Sequence, residues 1–255
     1  MMFSRFFRRA TPAPEPHTLN ASLPPGERVY AIGDVHGRLD LLDALLDQIH
    51  RDDLERAPAR TTIVFLGDLV DRGPDSQGVV RRAMAVANQG DAIFIMGNHE
   101  ELLLRLCSGN KRFAAPFHRV GGRATLLSYG VTAEDYDRHE LRDLPALAAE
   151  AIPRAHTDFI SGFISSWRCG DYFFTHAGVA PGVDLDEQRG EDMRWIREEF
   201  TESDVEHGAM IVHGHTITDA VEERANRIGI DTGAYASGHL TALCLQGRER
   251  WYLQT

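Results

Sequence analysis

The sequence predicts an α/β fold in which two mixed β-sheets are flanked by helices. Three observations lead there. Between Arg28 and Cys107 the chain repeats one pattern three times: an apolar run, a glycine-flanked polar turn, then a helical stripe. After Gly170, short β-branched and aromatic runs return and end in the same kind of polar turn. The closing runs at 227–231, 239–246 and 250–253 are joined by links short enough for antiparallel pairing. Three βα units in succession imply a mostly parallel sheet with right-handed crossovers.

Residues 1–27 differ in character from the rest of the chain. Met1–Arg9 (MMFSRFFRR) is basic and aromatic, and Thr11–Pro25 is proline-rich, so a flexible arm is expected ahead of one domain over 28–255. A weak contact of Phe3, Phe6 and Phe7 with a membrane surface is the alternative use of that arm. It lacks the apolar core and cleavage site of a secretory signal.

The first unit is a strand over Arg28–Ile32, the turn Gly33-Asp34-Val35-His36-Gly37-Arg38, and a helix from Leu39 with its stripe at Leu41, Leu42, Leu45, Leu46 and Ile49. Asp34 and His36, two apart in extended chain, point to one side. The second unit is a strand over Thr61–Leu66, the loop Gly67-Asp68-Leu69-Val70-Asp71-Arg72-Gly73-Pro74, and a helix from about Ser76 to Asn88. The third is Ala92–Met96, the turn Gly97-Asn98-His99-Glu100, and a helix to about Cys107. Each unit delivers its polar residues to the carboxyl edge of the sheet, where open α/β sheets keep their ligands. Residues 108–168 read as helices packed on a sheet face or as a lid over the sheet mouth, and their His118, His139 and His156 read as surface residues. Beyond them, Tyr172–Thr175 leads into His176 and Ala209–Val212 into His213-Gly214-His215-Thr216. A short amphipathic segment over Asp192–Phe200 carries Trp195 and Arg197.

Composition excludes more than it assigns. The 255 residues carry 27 basic and 38 acidic side chains for a net charge of −11, which argues against a nucleic-acid backbone as partner. Cys107, Cys169 and Cys244 show no paired or C-x-x-C spacing, so a reducing, cytoplasmic setting is expected. No run is apolar over the ~18 residues of a membrane span.

The strand ends collect Asp34, His36, Asp68, Asn98, His176 and His215, an oxygen and nitrogen set without sulfur. Such donors suit manganese, iron or zinc, with magnesium disfavoured by the imidazoles. Six donors exceed the needs of one ion once water is counted, so two divalent cations sharing a carboxylate are expected. Paired ions about 3.5–4 Å apart hold a hydroxide for in-line attack on phosphorus.

The segments GDVHGR (33–38), GDLVDRGPDS (67–76), GNHE (97–100), HAGV (176–179) and HGHT (213–216) resemble the calcineurin-like metallophosphoesterases. More narrowly, they resemble the compact bacterial and phage form of the phosphoprotein phosphatase family, over about Arg28 to Leu253. The resemblance implies a four-layer αββα sandwich. It implies one ion on Asp34, His36 and Asp68 and another on Asp68, Asn98, His176 and His215. It further implies His99 as the general acid oriented by Asp71, with Arg72, Arg197 and Asn98 holding the substrate phosphate. The implied activity is a serine/threonine protein phosphatase acting on phosphorylated proteins or peptides, with phosphotyrosine or phosphohistidine as further targets. Hydrolysis of nucleotide phosphoesters, in particular symmetrical cleavage of diadenosine tetraphosphate, is the alternative, and a phosphate-binding scaffold without turnover the second.

Three details choose among relatives. Gly214-His215-Thr216-Ile217 lacks the second histidine of the wider G-H-x-H pattern, which favours monoesterases over phosphodiesterases. Asp71 in VDRG favours protein phosphatases over symmetrical diadenosine tetraphosphate hydrolases, which often lack that acid. HAGV stands where eukaryotic relatives have HGGL, which changes no ligand.

Overall fold

The structure, a computed structural model, describes residues 20–255. Met1–Arg9, with its suggested membrane contact, lies outside the described residues. Part of the expected arm is nevertheless packed. Ala21 and Leu23 are buried, the Leu23 N–H donates to Gly247 O at 2.8 Å, and the Ser22 N–H donates to Asp171 Oδ2 at 3.0 Å. These two apolar side chains find cover between the sheets.

The first half runs β1 (Glu27–Ile32), α1 (Leu39–Glu55), β2 (Arg60–Phe65), α2 (Ser76–Ala87), β3 (Ala92–Phe94) and α3 (Asn98–Cys107). The helical middle is α4 (Ala114–Arg119), α5 (Gly122–Ser128), α6 (Ala133–Arg138), α7 (Leu144–Ala151) and α8 (Arg154–Ser161). The remainder begins with β4 (Ser166–Cys169), β5 (Tyr172–Thr175), α9 (Gly190–Trp195), α10 (Glu198–Thr201) and β6 (Met210–His213). It ends with β7 (Glu222–Glu223), β8 (Arg227–Gly229), α11 (Ala234–Ser237), β9 (Thr241–Gln246) and β10 (Glu249–Gln254).

Two five-stranded mixed sheets result, ordered β10-β9-β1-β2-β3 and β4-β5-β6-β8-β7. β1, β2 and β3 pair in parallel, as do β5, β6 and β8, while β9, β10, β4 and β7 join antiparallel. The closing strands do not all pair with one another as expected: β9 and β10 do, but β8 crosses to the other sheet beside β6. β4 and β7 carry little signal in the sequence, because one is four residues long and the other is a pair of glutamates.

Side-chain alternation builds the layers. Along β1, Val29 and Ala31 face the second sheet together with Leu243 and Leu245, whereas Tyr30 and Ile32 face the helices with Leu42, Leu45 and Val79. Along β5, Tyr172 and Phe174 point between the sheets, and Phe173 points outward to Met193, Ile196 and Phe200 of the α9–α10 segment. The order is helices, sheet, sheet, helices, the four-layer sandwich. The α1 stripe buries Leu42, Leu45, Leu46 and Ile49 against the first sheet. Asp75 starts α2 by accepting the Gly78 N–H at 2.7 Å.

The helical middle packs into the same core as α1–α3, through Phe117, Leu126, Leu144 and Ile160. His118 and His139 are exposed, as expected. His156 is not: it is 8% exposed, and its Nδ1 lies 2.8 Å from the Tyr129 hydroxyl. All three cysteines are free, and no helix among the described residues is long and apolar enough to cross a membrane.

Phe174 is fully buried between the sheets, with the rings of Trp167 and Tyr172 at 5.3 and 6.3 Å. Phe174→Ala is expected to lower unfolding free energy by ~3–5 kcal/mol, read from the urea midpoint at constant m.

Candidate active site

The parallel strands of both sheets end at one place, so residues far apart in sequence meet there. All the site residues expected from the sequence except Arg197 belong to one contact network. The turns that carry Asp34, Asp68, Asn98 and His215 each place a glycine just before that residue, whereas His176 follows β5 directly. At Gly97 and Gly214 a Cβ would run into the carboxylates of Asp68 and Asp34, so only glycine lets these loops approach.

Every non-glycine residue with positive φ among the described residues is one of the expected site residues: His36 (45°), Asp68 (50°), Asp71 (72°), Arg72 (67°) and His215 (63°). Left-handed backbone at such residues is unfavourable and persists where surrounding bonds over-determine it. For Asp68 those bonds come from Glu100, fully buried on α3. Its carboxylate accepts the N–H groups of Asp68 (2.8 Å), Leu69 (2.8 Å), Val70 (3.4 Å) and Gly97 (3.1 Å). Burial, with the charge of Asp68 behind it, lifts the Glu100 carboxyl to about 7, while the Asp68 N–H favours its ionised form.

Asp68 then faces two ways. Its Oδ1 lies 3.4 Å from His176 Nε2, and its Oδ2 lies 3.6 Å from both His36 Nε2 and His99 Nε2. His36 Nδ1 is 2.8 Å from Val70 O and His176 Nδ1 is 2.8 Å from Leu66 O, which directs both Nε2 atoms inward. Asn98 Oδ1 sits 3.0 Å from His176 Nε2, and His215 Nδ1 sits 3.1 Å from the same atom. Asp34 accepts the His215 N–H at 3.1 and 3.3 Å. His213 joins none of this, packing edge-on to Phe200 at 5.1 Å.

His99 has a separate setting. Its Nδ1 is 2.7 Å from Asp71 Oδ2, and Asp71 Oδ1 accepts the Thr125 hydroxyl at 2.6 Å. The Asp71 N–H donates to Ser76 Oγ and Thr125 Oγ1 at 3.0 and 2.9 Å. Burial disfavours the imidazolium, but the charge of Asp68 and the Asp71 bond outweigh it and hold His99 above the ordinary histidine value. The guanidinium of Arg72 lies 3.2 Å from His99 Nε2. Arg197 stands apart, exposed at the start of α10, with no carboxylate partner among the described residues, though its charge bears on His215.

Two overlapping groups could hold a cation, His36–Asp68–His99 and Asp68–His176–His215, sharing Asp68. Nε2 of His36 and of His215 is buried without a hydrogen-bond partner. Burial lowers His36 to about 3 and, helped by His176, lowers His215 to about 2, so both rings keep a lone pair to give. Asp68 is held well below the carboxylate range: burial would raise it, but the charges of His176 and His99 prevail. Burial followed by the neighbouring Asp231 and Asp68 pushes Asp34 well above that range, the state of a carboxyl lacking a compensating cation. The donors fit two divalent ions. His99 is the poorer ligand of its group, because a guanidinium already stands at its Nε2.

Four residues of the site go beyond those expected from the sequence. Glu100 belongs to the quoted GNHE motif, yet nothing in that motif assigns it a task. Asp231 follows a strand just as Asp34 and Asp68 do, a signal that was available. It is buried beside Asp34, accepts the Gly233 N–H at 3.0 Å, and leaves Oδ2 unpartnered. Ser76 and Thr125 carry no sequence signal, and Thr125 lies in the helical middle, which holds no chemical motif.

A cluster of imidazole and carboxylate donors at the strand mouths of an αββα sandwich defines a metal-dependent hydrolase site. The chain belongs to the calcineurin-like phosphoesterase family, which matches residues 27–240; members of this family use a dinuclear metal site. It is 34% identical over 154 residues to the symmetrical bis(5'-nucleosyl)-tetraphosphatase of Ralstonia nicotianae, covering 59% of this chain and 46% of that protein. It is 26% identical over 230 residues to the asymmetrical bis(5'-nucleosyl)-tetraphosphatase PrpE of Anoxybacillus flavithermus, covering 83% and 88%. A crystal structure described as a putative diadenosine tetraphosphatase superposes with a TM-score of 0.63 at 22% identity, over 92% of this chain and 98% of that one. That likeness speaks to fold.

These relatives overturn the expected serine/threonine protein phosphatase, since they are named for nucleotide hydrolysis. The physical reason lies in Asp71, whose presence favours protein substrates only if it discriminates between them. What it does here is hold His99, and a held imidazole suits a departing phosphate oxygen as well as a serine oxygen.

Glu100→Gln would turn an amide N–H toward the backbone N–H groups of Asp68 or Leu69. A loss of ~1.5–3 kcal/mol of stability in chemical denaturation is expected, together with reduced metal content by atomic absorption.

Proposed function

We propose that this chain hydrolyses the phosphoanhydride chain of dinucleoside polyphosphates, with diadenosine tetraphosphate as the representative substrate. The observation that carries the reading is that relatives matching it over 59% and 83% of its length are both named bis(5'-nucleosyl)-tetraphosphatases, one symmetrical and one asymmetrical. The geometry agrees in kind, because cationic and acid groups aimed at phosphate stand together at the strand mouths.

Asp34, His36 and Asp68 would hold one divalent ion, and Asp68, Asn98, His176 and His215 the other, a mixed carboxylate and imidazole set that suits manganese, iron or zinc. When bound, the pair would supply positive charge against the charge developing at phosphorus and lower the pKa of a water so that hydroxide is available. The chain's own residues do the rest. Arg72 presents its guanidinium beside His99 and binds non-bridging oxygens of the attacked phosphate. Arg197, exposed and without a carboxylate partner among the described residues, serves the phosphates farther along the chain. His99 gives its Nε2 proton to the departing phosphate oxygen. Asp71 accepts the Nδ1–H, which fixes the ring and stabilises its charged form, and Thr125 in turn fixes Asp71.

The purified chain with manganese is expected to show a kcat/KM for diadenosine tetraphosphate at least ~10-fold above that for a phosphoserine peptide, and chromatography of the nucleotides formed reads which anhydride is cut. A preference for the peptide would overturn the reading. His99→Asn is expected to lower kcat by ~10²–10⁴-fold without loss of metal, whereas Asp68→Asn loses both. An unimpaired His99→Asn enzyme would remove His99 from the chemistry.

A further inference from the structure

A cleft of about 690 Å³ opens beside Arg72, with Arg38, Asp40, Asp43, Pro74 and Tyr235 in its walls. Tyr235 is one of the few large apolar side chains left exposed, at 37%. It sits on α11, between left-handed Gly233 and Gly238. Its ring stands edge-on to His36 at 5.5 Å, and the Arg72 guanidinium lies over it at 4.8 Å. Aromatic and guanidinium planes thus run together from the metal-ligand cluster out into the cleft.

The charges along the cleft sort by position. Arg72, at its inner end, has no carboxylate partner among the described residues. Farther out, Arg38 meets Asp40 through two bonds of 2.8 and 2.7 Å and Asp43 accepts from Arg82 at 2.7 Å, while Asp75 is turned to its own helix, accepting the Gly78 N–H at 2.7 Å. An unpaired cation at the inner end suits phosphate. An exposed ring between walls whose carboxylates are each engaged in a bond suits a flat uncharged group with hydrogen-bonding edges, which is what a nucleoside is. The platform is also held in place. Arg38 Nη1 donates to Ala234 O at 3.0 Å, and the Gly233 N–H donates to Asp231 at 3.0 Å, so the residues just before Tyr235 are tied to the residue that precedes α1 and to the carboxylate beside Asp34. A ring fixed beforehand gives up little freedom when a base settles on it.

We infer that this cleft is a nucleoside subsite, in which Tyr235 stacks on the base of the nucleotide whose phosphates are gripped by Arg72. The inference rests on the proposed dinucleoside polyphosphate reading and deepens it, since it says where one nucleoside lies and which residue selects for it. Tyr235 is a specificity residue here and takes no part in bond cleavage.

The test is calorimetric binding of a methylene-bridged, non-hydrolysable diadenosine tetraphosphate analogue to the manganese-loaded chain, against inorganic tripolyphosphate as a ligand without nucleosides. Tyr235→Ala is expected to weaken the analogue about tenfold more than tripolyphosphate. Tyr235→Phe and Tyr235→Trp should stay within about threefold of the parent, because stacking needs the ring and not the hydroxyl. In turnover of diadenosine tetraphosphate the alanine variant should raise KM far more than it lowers kcat. Equal weakening of both ligands, no weakening of the analogue, or a phenylalanine variant as poor as the alanine one would each overturn the subsite while the substrate reading stands. A parent chain that binds tripolyphosphate and not the analogue would sink the substrate reading, and the subsite with it.

Discussion

The Glu100 carboxylate, buried on α3, holds the backbone that leaves β2, and the arrangement of the site depends on that clamp. By accepting four N–H groups it keeps Asp68 in a left-handed conformation, with one carboxylate oxygen toward His176 and the other toward His36 and His99. Left to itself such a loop would relax, since each left-handed non-glycine residue costs about 1–3 kcal/mol. Five of them crowd this edge of the sandwich. The stability that offsets them lies in the layers beneath, in the apolar faces of two sheets packed on each other and on helices. Packed strands and a strained rim are complementary: bonds to the buried elements beneath hold the rim out of its preferred conformation.

The helical middle has a double role that neither a sheet-face cover nor a lid describes alone. It covers the face of the first sheet, and it also reaches the site's edge, where Thr125 on α5 bonds Asp71 and Gly121 O accepts the Arg72 N–H at 3.2 Å. The orientation of His99 therefore depends on a residue more than twenty positions away that is bonded to its own partner. This also explains why substrate class was hard to read from Asp71. The acid is bonded to the imidazole, so in the proposed chemistry it would serve a phosphate ester and an anhydride alike. On the inference drawn above, substrates are separated farther out, in the Tyr235 cleft, whose lining residues repeat no recognisable pattern.

The sequence by itself determined the βα units, the α1 stripe, and the delivery of Asp34, His36, Asp68, Asn98, His176 and His215 to strand ends. It could do so because these depend on local signals: apolar periodicity, glycines that let a turn close, and an acid at the end of a strand. Only the tertiary structure decided which sheet β8 joins, that Ala21 and Leu23 pack between the sheets, that Glu100 clamps the Asp68 loop, that Asp231 lies against Asp34, and that Thr125 supports Asp71. Each of these is a contact between segments far apart along the chain. No local pattern encodes such a contact, because its energy comes from burial and from hydrogen bonds that exist only once the layers have closed.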